Sequence, residues 1–146
     1  MDGTQLKPEP ALAQSQKIVF LTSPLSSEEY DDYMSQTDCM VLPYHRQSYY
    51  ARTSGVAVEA ATAGIPIIFT KDTWMEDAVS QYGAGIGIED KNALDLAEKI
   101  ELMVSKIDEY KEKAMARAKI AQAYHSPENF LKCLWGDAGQ RMVDNE

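Results

Sequence analysis

The chain has 146 residues, 23 Asp and Glu against 14 Lys and Arg, and a formal net charge of −9. That length gives one domain with its own core and is short for a two-domain enzyme, while the acidic balance without a basic stripe argues against nucleic acid. Residues 1 to 16 lack the positive start and apolar run of a signal peptide, and no membrane-length apolar stretch occurs, so a soluble, cytoplasmic chain is expected. Cys39 and Cys133 fit neither a disulfide framework nor a zinc site and read as reduced thiols.

In chain order, residues 1 to 16 are polar, hold two prolines and show no period, which reads as a tail or linker. KIVFLT, residues 17 to 22, has the composition of a short strand. Ser26 with Glu29 three residues on forms a capping box for a helix from Ser27 to about Gln36. CMVLPY, residues 39 to 44, reads as a strand buried on both faces and stopped by Pro43. A small-residue helix follows from Gly55 to Ala63, with Gly64 ending it in the left-handed conformation, and IPIIFT, residues 65 to 70, forms the next buried strand.

Residues 73 to 82 read as a short helix and 84 to 88 as a short strand. Asn92 caps a helix with Leu96, Ile100, Met103 and Ile107 on its apolar stripe; an alanine-rich helix covers about 109 to 124, and Ser126 with Pro127 starts a last one. The final residues, 137 to 146, read as a frayed end, leaving 17 to 136 as the folded domain. Strands alternating with helices and reading as apolar blocks give the α/β class, a Rossmann-like parallel sheet with helices on both faces. Ligands of such folds bind beyond the carboxyl ends of the strands. The connection from Pro43 to Ser54 lies there, and at about twelve residues it exceeds the usual two to six, which favours a functional loop.

The loop's exit carries the chemistry. If Ser54 caps the helix, the amides of Gly55, Val56 and Ala57 have no intrahelical partners and face outward at the positive dipole end, a site for phosphate. Glu59, the helix's single charge, stands one turn further along the same face, about 6 Å down the axis, where it reaches hydroxyls joined to that phosphate. The residues alone are served equally well by a surface carboxylate on a half-buried helix. Arg46 and Arg52 suit diphosphate oxygens in bidentate geometry or serve as solvated loop arginines, and Tyr44, Tyr49 and Tyr50 either stack on a ligand or pack the loop. Gly83, Gly85 and Gly87 fail the dinucleotide fingerprint because Ile88 takes its last glycine, and neither His45 nor His125 has partners at metal-site spacing; no metal or cofactor is called for.

LSSEEYDDYMSQTDCMVLPY, SGVAVEAATAGIPIIFT and GAGIGIED followed by an amphipathic helix together resemble the C-terminal, donor-binding half of GT-B glycosyltransferases of the group 1 family, over roughly residues 18 to 125. The resemblance implies a nucleotide-sugar binding domain of a retaining transferase that moves a sugar to an acceptor hydroxyl. It places ribose binding at Glu59 and the donor's diphosphate at the amides of Gly55 and Val56; Ser54 as the cap and Thr53, Arg52 and Tyr44 of the loop are the remaining candidate residues for the nucleotide sugar. The family's first motif carboxylate falls at Ala51, so the alternative is a non-catalytic nucleotide- or partner-binding module of the same fold. The family's acceptor-binding N-terminal domain is not matched by this sequence, nor are two strands that separate the equivalents of 17 to 22 and 38 to 42. An exposed strand edge and a homodimer formed through it are the corresponding expectations.

Overall fold

The computed structural model describes residue 15 and residues 17–136. Apart from Ser15, the expected tail at 1–16 lies outside the described residues, as does the expected frayed end at 137–146. The chain divides into two compact units, residues 1–35 and 36–146.

In the first unit, helix α1 spans Ser27–Ser35. The capping box forms reciprocally: the Glu29 amide donates to Ser26 Oγ at 3.2 Å and the Ser26 amide donates to Glu29 Oε2 at 2.8 Å. The Ser26 amide, and after it the Ser26 hydroxyl, stabilise the ionised carboxylate and hold Glu29 below its ordinary value. The strand expected at 17 to 22 does not form; the segment is irregular and Val19 is 74 % exposed. Apolar, β-branched composition makes a strand only where a neighbour pairs its backbone and a face is buried, and this segment has neither among the described residues.

The second unit carries β1 (Met40–Leu42), α2 (Arg46–Tyr49), α3 (Gly55–Ala63), β2 (Ile67–Thr70), α4 (Trp74–Tyr82), β3 (Gly85–Ile88), α5 (Ala93–Ser105), α6 (Ile107–Tyr124) and α7 (Pro127–Trp135). The strands form one parallel sheet in the order β1-β2-β3, with Met40 opposite Ile67 and Ile67 opposite Gly85. Central β2 is buried throughout, as expected, whereas β1 is not buried on both faces: it lies at the edge, and Val41 is 40 % exposed. Burial on both faces needs a helix over each, which an apolar run cannot report.

Pleating sets Ile68 and Thr70 of β2 on one face with Ile86 and Ile88 of β3. There Ile68, Ile88 and Met103 form a core joined by Leu96, Ile107, Tyr110 and Cys39. Burial and the neighbouring Asp38 push the Cys39 thiol up to about 11, while Cys133 is exposed; both are free. A second core gathers Ala78, Tyr82 and Ala121 with Ala61 and Trp74, so α3, α4 and α6 meet through small residues. Gly64 makes that approach possible: its φ is +72° and a Cβ there would collide with Met115. His125 closes α6 with its ring edge-on to Tyr82 at 4.9 Å, and burial lowers its proton affinity.

The caps follow the sequence. Asn92 accepts from the Asp95 amide at 3.1 Å and Ser126 from the Asn129 amide at 3.1 Å, with Pro127 at the first helical position.

Candidate functional site

Strand β1 delivers its chain to the carboxyl edge of the sheet at Leu42, and residues 43–54 run from there to the tip of α3. A single turn, α2, interrupts this loop; sequence reading missed it. The amides of Ser48 and Tyr49 both donate to the His45 carbonyl, at 3.0 and 3.1 Å, and the Tyr50 amide donates to that of Arg46 at 2.9 Å. The turn brings Tyr49 onto Tyr44, ring centroids 4.3 Å apart and stacked, and the Arg52 guanidinium stands 5.6 Å from the Tyr49 centroid. Tyr44 and Tyr49 therefore pack on one another, while Tyr50 is 71 % exposed.

Ser54 is a true N-cap. Its backbone is extended (φ −114°, ψ 114°), its carbonyl accepts from the Val58 amide at 3.1 Å, and its buried side chain accepts from the Ala57 amide at 3.2 Å. The cap thus uses one of the three amides expected to face outward. Those of Gly55 and Val56 have no protein acceptor among the described residues. Around Gly55 there is open space: nothing lies within 4 Å of where a Cβ would stand. Two N–H groups without a protein acceptor at a positive helix end suit an anion. Glu59 lies on the exposed side of α3, four residues on from Gly55 and so on the same face. Thr53, Arg52 and Ala51 are exposed beside the tip, and Tyr44 is half-buried. Ser54, Gly55, Val56 and Glu59 are brought together by one helix, and Tyr44 and Arg52 by their contacts with Tyr49.

Arg46 turns elsewhere. Its Nε donates to the Lys71 carbonyl at 3.3 Å, and Nη2 lies 3.1 Å from Asp72 and 3.5 Å from Glu89. Lys71 Nζ meets Glu89 at 2.7 Å, and the Glu89 amide donates to Asp95 at 2.7 Å. The Lys71 ammonium, with Arg46 behind it, holds Glu89 below the usual carboxylate range, and Glu89 in turn raises Lys71. The Asp72 amide donates to Glu76 at 2.8 Å, fixing a left-handed residue (φ 54°) ahead of α4. The sequence reading gave Lys71, Asp72 and Glu89 no role at the site. Their signal was positional: Lys71 and Glu89 directly follow β2 and β3, with Asp72 one residue on, and in a parallel sheet all strand exits lie on one edge.

Among the described residues no cluster of His, Cys, Asp and Glu is arranged to hold a metal, and no helix is long and apolar enough to cross a membrane. No curated protein and no solved structure matches the chain significantly. The family model described as glycosyl transferases group 1 does match, over residues 2–122. That span takes in the whole sheet, the capped tip and most of α6. On that match, supported by a Rossmann-like parallel sheet, the chain belongs to the group 1 glycosyltransferase family, whose business is sugar transfer between an activated donor and an acceptor.

Proposed function

We propose that residues 44–59 form the donor site of this domain, the α3 tip taking the diphosphate of a nucleotide sugar and Glu59 the ribose hydroxyls, in a transfer that retains configuration at the sugar carbon. The observation that carries this reading is the pair of amides at Gly55 and Val56 without a protein acceptor among the described residues, with open space beside Gly55 and an exposed carboxylate one turn on. A diphosphate accepts from the amides and gains from the helix dipole; a carboxylate accepts from two neighbouring hydroxyls. Thr53 and Arg52 lie beside the diphosphate on this reading, and Tyr44 lines the loop side. The acceptor and its binding domain are further partners in the reaction.

The test is calorimetric titration with UDP, GDP, ADP and their sugars on the wild type and on Glu59→Ala. One nucleotide is expected to bind, and the substitution to weaken it by about 10- to 100-fold, the worth of a charge-assisted hydrogen bond lost. Equal affinity of the two proteins, or no binding to the wild type, removes the proposal. Ala51 favours a second reading, a module that binds nucleotide without transferring sugar, because it offers no carboxylate beside the donor. Binding that depends on Glu59 together with no transfer in the presence of an acceptor domain would select it.

The edge of β1, unpaired on one side among the described residues, supports self-association of two copies along it. Light scattering at micromolar concentration is expected to report twice the mass of one chain, and a single monomeric species overturns this part.

A further inference from the structure

We infer that Arg46 is an ionic latch that fastens the loop of residues 43–54 to the exits of β2 and β3, and that this latch sets how firmly the α3 tip is presented. Arg46 is the one loop side chain with hydrogen bonds or ion pairs to both strand exits among the described residues: to the Lys71 carbonyl and Asp72 after β2, and to Glu89 after β3. The rest of the loop is held by its own turn, by the Tyr44, Tyr49 and Arg52 contacts, and by His45, whose Nδ1 lies 3.5 Å from Asp90 after β3. The internal contacts order the loop without fastening it to the sheet, and the His45 contact reaches the exit of β3 alone.

Arg46 acts here as a positioning residue. A lone exposed ion pair is worth little, but this guanidinium meets two carboxylates and a carbonyl at once, and Glu89 is itself steadied by Lys71 and by its amide bond to Asp95. Because the carboxylates and Arg46 remain partly open to water, the latch is screened by salt. Packing of the loop by its tyrosines would show no such dependence.

The experiment is hydrogen exchange across residues 43–54 of the ligand-free protein at low and high salt, for the wild type, Arg46→Ala, Asp72→Asn and Glu89→Gln. Asn is tolerated at the left-handed position of residue 72, so that variant removes charge with little strain. The wild-type loop is expected to exchange about 3- to 10-fold faster at high salt, and each variant to exchange at that faster rate already at low salt, with the core strands unchanged. Wild-type exchange independent of salt, or variants as slow as the wild type, overturns the latch. Consequences for donor affinity rest on the site proposed above, and titration of the same variants separates the two. A latch seen by exchange in a protein that binds no nucleotide leaves the inference standing and removes the donor reading. Nucleotide binding that is equal in all four proteins, with unchanged exchange, does the reverse.

Discussion

Replacing Arg117 with methionine is expected to lower the stability of the domain by about 3 kcal/mol, seen as a fall of about 10 °C in the thermal midpoint. Arg117 reaches from α6 to the end of α4, where Nη1 donates to the carbonyls of Val79 at 2.9 Å and Gly83 at 2.8 Å and Nη2 to those of Ser80 at 2.8 Å and Gln81 at 3.1 Å. These include carbonyls that a helix end leaves without intrahelical donors. Ser80 and Gln81 lie at the surface, where water replaces the guanidinium, so most of the loss comes from the part-buried bonds to Val79 and Gly83. Methionine keeps most of the aliphatic length, which isolates the hydrogen bonds from the packing of the stem. Arg117→Lys restores only part of the loss, because a point ammonium cannot span four carbonyls that a planar fork can. A midpoint within about 2 °C of the wild type would show that water serves these carbonyls as well as the arginine does.

Gly85→Ala is expected to cost a similar amount, about 3 kcal/mol, read as a lower urea midpoint with an unchanged slope. Gly85 is opposite Ile67 in the register of β2 and β3, and a Cβ on it would fall against the Ile67 carbonyl oxygen. The obstacle is backbone, so no rotamer change relieves it. The strands must part where the Ile67 amide donates to the Ala84 carbonyl at 3.0 Å, at the start of the central pairing. Gly55→Ala is the contrast, since open space surrounds that position and alanine favours a helix; its stability is expected to stay within about 1 kcal/mol of the wild type. If Gly85→Ala unfolds at the wild-type urea concentration, β3 has room to shift and the close approach is not a constraint.

Local chemistry was legible in the chain. Ser26 with Glu29, Ser54, Gly64, Asn92 and Ser126 with Pro127 each mark a helix end by a hydrogen bond or dihedral requirement that a few neighbouring residues satisfy, and each one forms. The alternation of strand and helix, and with it the parallel sheet, followed from the same local patterns. So did the tip of α3, because an N-cap leaves amides free by geometry alone; the local details the sequence reading left out are the single turn α2 and the bond by which Ser54 keeps the Ala57 amide for itself.

What needed the tertiary structure was every property that depends on a neighbour distant in sequence. KIVFLT has a strand's composition and no strand's pairing among the described residues, and Val41 sits in an apolar run yet at a sheet edge. Arg46 reads either as a diphosphate ligand beside a helix tip or as a solvated loop arginine, but Lys71, Asp72 and Glu89, 25 or more residues further along, already surround it. Arg117 is not singled out by its alanine-rich helix, yet it closes the end of another helix 34 to 38 residues earlier. The division has a physical cause: caps and turns are decided within a few residues, where the chain itself fixes the distances, whereas ion pairs, edges and close approaches depend on where folding brings segments that the sequence keeps apart.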